Sequence, residues 1–136
     1  MDRRGWAPPG RYRSRHHDRH PLGRGTRAAQ VVRLQVVFEP EARDELRAAR
    51  DWYEDAQPGL GEDLIVEVET TIERIVRWPE LAPRLLVPER SRPVRRAPLR
   101  RFPFGLVYVV IEDTLWVIAV AHSRRRPYYW RDRLSP

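Results

Sequence analysis

The chain has 136 residues, room for one domain, and 41% of them are hydrophobic, enough for a single core. It has no cysteine, which excludes a disulfide framework, a thiolate metal site and a cysteine nucleophile, and fits a reducing cytoplasm. The net charge of +7 is unevenly placed: residues 1–30 hold eight Arg against two acids, residues 31–89 seven against 14, and residues 90–136 eleven against three.

All 26 Lys and Arg positions are Arg. A guanidinium is always charged and forks onto phosphate or carboxylate, so the C-terminal third reads as an anion-facing surface. The plainer alternative is that these arginines balance the acidic middle. The longest apolar run, residues 115–121, is far below the 18 or so residues of a spanning helix, and no membrane role is expected. Near the N-terminus, Trp6 to Pro9 lead into arginines and histidines rather than an apolar stretch, so a secretory signal is not expected.

Residues 1–30 combine Pro, Gly, His and Arg with almost no aliphatic residue, the composition of a disordered basic arm suited to nonspecific phosphate contact. His16, His17 and His20 lie on this arm without groups to orient them, so no metal site is expected. The folded domain is expected over 31–136. Val31 to Phe38 is rich in β-branched residues and closed by Pro40, which predicts a first strand. Pro40 suits the first turn of a helix, and Ala42, Leu46, Ala49 and Tyr53 form an apolar stripe to about Asp55. Pro58-Gly59-Leu60-Gly61 predicts a turn. Leu64, Ile65, Val68, Ile72, Ile75, Val76 and Trp78 predict a second helix stopped by Pro79, making a helix hairpin.

Four prolines over 79–93 predict a surface loop. Val94–Leu99 reads as a strand that Pro98 shortens or confines to an edge. Phe102–Ile111 and Leu115–His122 are the strongest strand signals, joined by Glu112-Asp113-Thr114. Their nearly continuous apolar character needs cover on both faces, the hairpin on one and the C-terminal segment or a partner on the other. Pro127–Leu134 is expected as a short terminal helix. The fold class is α+β, ordered β-α-α-β-β-β, with the helix hairpin on a small, mainly antiparallel sheet.

These pieces, in this order, resemble the toxins of the RelE/ParE superfamily, also called plasmid stabilisation proteins, of type II toxin–antitoxin modules. The resemblance rests on Phe38, Glu41-Ala42, Leu46, Trp52-Tyr53, the Pro-Gly-Leu-Gly turn and Pro79-Glu80. It continues through Val94-Arg95-Arg96, Leu99-Arg100-Arg101-Phe102-Pro103 and Tyr108. It ends in His122, Arg125, Pro127, Tyr129, Trp130, Arg131 and Arg133. It implies a growth-inhibiting toxin with no cofactor, covered by a cognate antitoxin. Members divide between ParE-like poisons of DNA gyrase and RelE-like nucleases that cut mRNA in the ribosomal A site. The Gly-Leu-Gly turn and the Pro-x-Tyr-Trp ending lean toward ParE. A nontoxic remnant that only binds antitoxin is the third reading.

RNA cleavage would need a base for the 2′-hydroxyl, positive charge at the phosphorane and an acid for the leaving oxygen. The candidates are His122 as acid or base, Arg95, Arg101 and Arg125 as phosphate clamps, and Tyr129 as acid or stacking platform. Arg cannot serve as the base. RelE-like nucleases often use lysine, which this chain lacks, a departure that weighs against cleavage. His122 also reads as a strand-end residue bonded to a carbonyl beneath Trp130, and Tyr128, Tyr129 and Trp130 as an aromatic lid on the sheet. Glu67, Glu69 and Glu73 read as a solvated acidic helix face.

Overall fold

The computed structural model describes residues 34–87 and 92–134. The expected basic arm and the first residues of the expected strand, 31–33, lie outside the described residues. The elements are β1 (Gln35–Phe38), α1 (Pro40–Ala56), α2 (Leu60–Arg77), β2 (Arg84–Leu85), β3 (Val94–Pro98), β4 (Phe104–Ile111), β5 (Thr114–His122) and a 3₁₀ turn (Arg131–Leu134). They form a five-stranded sheet ordered β1-β5-β4-β3-β2, antiparallel except where β1 runs parallel to β5. The α+β expectation is met in class and order.

Each helix boundary has a local cause. Pro40 opens α1 where its missing N–H costs nothing. At the hairpin, Gly59 takes a φ of +93°, open to glycine without strain, and a Cβ on Gly61 would lie 2.6 Å from the Arg50 carbonyl oxygen. The Glu54 carboxylate at the end of α1 accepts the Gly59 and Gly61 N–H groups at 2.9 Å, capping α2 from the neighbouring helix. Ala42, Leu46 and Ala49 of α1 and Leu64, Val68, Ile72 and Ile75 of α2 are buried against Leu106, Tyr108, Leu115, Val117 and Val120 of the sheet. At ~25 cal/mol per Å² of apolar surface, this layer is the main source of stability.

The far face has its own core of Val94, Val107, Val109, Ile118, Ala119 and Ala121, covered by Trp130 at 3% exposure. The C-terminal segment therefore supplies the second cover that the apolar strands require.

Several expectations are corrected. The loop over 79–93 contains β2, a two-residue strand whose pairing makes it, not β3, the sheet edge. Pro98 sits at the last position of β3, where the chain leaves the ladder. The strand expected from Phe102 begins at Phe104, and Thr114 belongs to β5, leaving Glu112 (φ 56°) and Asp113 as a two-residue turn. The expected short terminal helix is present as the 3₁₀ element Arg131–Leu134, later in starting than Pro127. Trp78, expected on the α2 stripe, lies past the helix end at 52% exposure. Glu67 is not a solvated group: its carboxylate accepts the backbone N–H groups of Arg100 and Arg101, tying the loop after β3 to α2.

Candidate functional site

Two open clefts flank the helix hairpin. One, of about 400 Å³, lies beside α1 and is lined by Glu45, Ala48, Ala49, Trp52, Tyr53, Phe104, Val120, His122 and Arg125. The other, of about 320 Å³, lies beside the C-terminal half of α2, where Trp78, Leu81, Leu99, Arg100 and Tyr108 are among its lining residues.

The α1 cleft is built around an opening in the sheet. β1 ends at Phe38, opposite Val117, and the Glu39 N–H closes the pairing on the Val117 carbonyl at 2.9 Å. Ile118 is then bulged out of the β4–β5 register, since Tyr108 pairs with Val117 and Val107 with Ala119. Among the described residues, the rest of the outer edge of β5 has no strand beside it. Glu45, from α1, accepts the Val120 N–H at 3.0 Å, and Arg133 Nη1 donates to the Ile118 carbonyl at 3.0 Å. These two side chains also pair with each other at 2.9 Å and are only 17% and 15% exposed. A carboxylate and a guanidinium thus take the place of the missing strand.

Tyr129 completes this corner. Its hydroxyl donates to Glu45 Oε2 at 2.8 Å, with Arg133 at 5.2 Å and Arg125 at 3.7 Å from its ring centre. Burial, then the Glu45 carboxylate, pushes the Tyr129 hydroxyl up to about 12. At neutral pH it stays protonated and committed to Glu45. Burial opposes the Arg133 charge, but Glu45 outweighs it and raises the Arg133 pKa.

His122 is half-buried at the end of β5, edge-on to Phe104 at 4.9 Å, with Nδ1 accepting the Arg124 N–H at 3.0 Å. Among the described residues its ring donates to no carbonyl, and its ring contact is with Phe104 rather than Trp130. Its Nε2 has no hydrogen-bond partner among the described residues. The Arg125 guanidinium likewise makes no hydrogen bond or ion pair among them. The aromatic path continues from Phe104 to Tyr53 at 6.4 Å, and on to Trp52 and Phe102 at 5.1 and 5.0 Å. Trp52, at 67% exposure, forms the outer wall.

The structure brings together His122, Arg125 and Tyr129 but not all five candidates. Arg95 belongs to the α2 side, where its guanidinium donates to the Glu80 and Ala82 carbonyls at 3.0 and 2.7 Å. Beside it, buried Tyr108 donates to the Pro79 carbonyl at 2.7 Å, and burial, against the opposing pull of Arg95, pushes its hydroxyl up to about 12. Arg101 is exposed, 3.4 Å from Asp63 and 5.5 Å from the Phe102 ring centre. Tyr128, Tyr129 and Trp130 do gather as a lid on the far face: Trp130 is buried in that core, Tyr129 packs against it while its hydroxyl reaches Glu45 at the edge of β5, and the Tyr128 and Trp130 rings lie 5.6 Å apart. Glu45 and Arg133 were not legible as a site, although Arg133 lies within the motif that carried the resemblance. Among the described residues no cluster of His, Asp and Glu is arranged to hold a metal, and no helix is long and apolar enough to cross a membrane.

A helix hairpin on one face of a mainly antiparallel sheet, with a short C-terminal cover on the other, defines the class of fold. It is shared with a chain of the chromosomal ParDE TA system from P. aeruginosa, at a TM-score of 0.56 and 18% identity, over 66% of this chain and 96% of that one. No significantly similar sequence was found among curated proteins. The family model of the ParE toxin of type II toxin–antitoxin systems, parDE, matches residues 36–127, and the chain belongs to that family. The RelE/ParE resemblance is thereby borne out, and with it a cognate antitoxin as partner.

Proposed function

We propose that this toxin arrests growth by binding and poisoning DNA gyrase, and that the corner of His122, Arg125 and Tyr129 makes the contact. Membership of the ParE family supports the choice of target. The observation that carries the choice of surface is Arg125: its guanidinium rests on the Tyr129 ring at the rim of an apolar cleft, with no anion paired to it among the described residues. Such a group is ready for a partner's carboxylate or phosphate. Arg124, Arg126 and Arg131 are exposed nearby in sequence and extend the positive field. Gyrase is a cytoplasmic target, which places the toxin's action in the cytoplasm.

The geometry supports binding more than catalysis. Tyr129 is held as a donor to Glu45, and Arg95 is engaged with backbone carbonyls on the other side of the hairpin. One observation favours the ribosomal alternative: His122 Nε2 has no hydrogen-bond partner among the described residues and shares a cleft with Arg125, as a general acid or base near a phosphate clamp would. Purified toxin tested against gyrase supercoiling and against mRNA on ribosomes separates the two. Loss of supercoiling with intact mRNA is expected; mRNA cut products that vanish with His122→Ala would replace this reading with the nuclease. Inactivity in both assays and in growth arrest would leave an antitoxin-binding remnant.

A further inference from the structure

Glu45 makes more contacts than a surface helix carboxylate needs. Oε1 accepts the Val120 N–H at 3.0 Å and Arg133 Nη1 at 3.1 Å; Oε2 accepts the Tyr129 hydroxyl at 2.8 Å and Arg133 Nη2 at 2.9 Å. All four donors converge on one carboxylate, and three of them, from Tyr129 and Arg133, belong to the C-terminal segment. That segment is otherwise a run of turns, with Arg131 and Arg133 N–H groups bonded to Tyr128 and Trp130 carbonyls. Its attachment on the α1 side therefore depends on Glu45.

The consequence reaches Arg125. This residue follows β5 in a turn, its N–H bonded to the His122 carbonyl, and its guanidinium has only the Tyr129 ring to rest on among the described residues. A long side chain in a turn is rotationally free unless something holds it, and ordering it at the moment of binding weakens binding. The ring is fixed at its hydroxyl end by Glu45 and neighboured at 5.2 Å by Arg133, which Glu45 also holds.

We infer that Glu45 is a positioning residue for Arg125: by capping the open edge of β5 and gripping Tyr129 and Arg133, it fixes the aromatic platform that presents the Arg125 guanidinium. The inference rests on the reading of Arg125 as the contact residue, and its physical half is independent of which target is struck. Glu45 itself need not touch the partner. Its carboxylate is already filled by four donors, so a partner gains little from it directly.

The test uses the whole toxin and two readouts. A guanidinium stacked on an aromatic ring has its side-chain NMR signals displaced by the ring current. In Glu45→Gln, whose one amide oxygen cannot serve all four donors and whose NH2 must face one of them, the Arg125 signals are expected to move toward free-arginine positions while α2 and β3 amides stay in place. Tyr129→Leu, which removes the platform and leaves Glu45 paired with Arg133, should do the same, while Tyr129→Phe should retain much of the displacement. Growth arrest is then measured as the inducer level giving half-maximal effect. Arg125→Ala is expected to raise it by about ten-fold or more, and Glu45→Gln and Tyr129→Leu by several-fold at about equal folded protein. Unmoved Arg125 signals in Glu45→Gln and Tyr129→Leu would overturn the positioning role even if Arg125→Ala is inactive. Displaced signals with full arrest by Arg125→Ala would instead overturn the choice of Arg125 as contact, and the functional half of the inference with it.

Discussion

The clefts on the two sides of the helix hairpin are both lined by apolar side chains and arginine, but the two candidate arginines beside them, Arg95 and Arg125, are used oppositely. Near the α2 cleft, Arg95 is consumed by the fold: it holds the Glu80–Ala82 backbone, and Tyr108 beside it holds Pro79. Beside the α1 cleft, Arg133 is consumed by Glu45 and the β5 edge, while Arg125 rests on the Tyr129 ring with no ion pair among the described residues. An arginine's sequence neighbourhood does not decide its role. What decides it is whether a backbone carbonyl or a carboxylate is left over within reach.

This contrast yields graded expectations. Glu45→Ala should have the largest effect on stability, because it strands the Arg133 guanidinium, the Val120 N–H and the Tyr129 hydroxyl at a mostly buried edge; a loss of about 3 kcal/mol by urea unfolding is expected. Arg95→Met should cost about 1.5 kcal/mol through two lost bonds to backbone carbonyls, while arrest per folded molecule stays unchanged. A strong loss of arrest by folded Arg95→Met would break the distinction between the clefts.

Raising pH tests the hydroxyls of both clefts together. Folding holds Tyr108 and Tyr129 near 12 against about 10 in the unfolded chain. The folded state therefore binds these protons more tightly. Their contribution is whole below pH about 10 and is lost as pH rises from there through about 12. Urea unfolding across that window should show a falling stability whose slope is shallower in Tyr108→Phe and in Tyr129→Phe. The smallest effect belongs to Arg101→Ala: its exposed pairing with Asp63 contributes little, and stability should stay within about 0.5 kcal/mol of the wild type.

The fold was legible because its signals are local. Helix periodicity, Pro40, the two hairpin glycines and the long apolar strands each state their own structure. The corner at Glu45 was not, because it exists only through long-range register: β1 stops at Phe38, Ile118 bulges, and the resulting gap faces a helix residue 75 positions before Val120. Nothing in the spacing of α1 marks Glu45 from its acidic neighbours. The three C-terminal aromatics were legible as a cover for the sheet, but the reach of the Tyr129 hydroxyl to Glu45 was not, since it depends on the same long-range gap. His122 and Arg125 were singled out because strand ends followed by arginine are where a rigid sheet presents charge. Arg95 matched the same residue chemistry and was claimed by carbonyls of a loop whose course no local pattern specifies.

The central claim is that toxicity resides in the α1 cleft and is delivered by Arg125. Growth arrest by Arg125→Ala, at wild-type expression and with antitoxin binding checked, tests it most directly. Arrest should be relieved while the melting temperature stays within about two degrees of wild type, since the side chain lies outside both cores. Full arrest by a folded Arg125→Ala protein would contradict the claim and move the toxic surface elsewhere on the molecule.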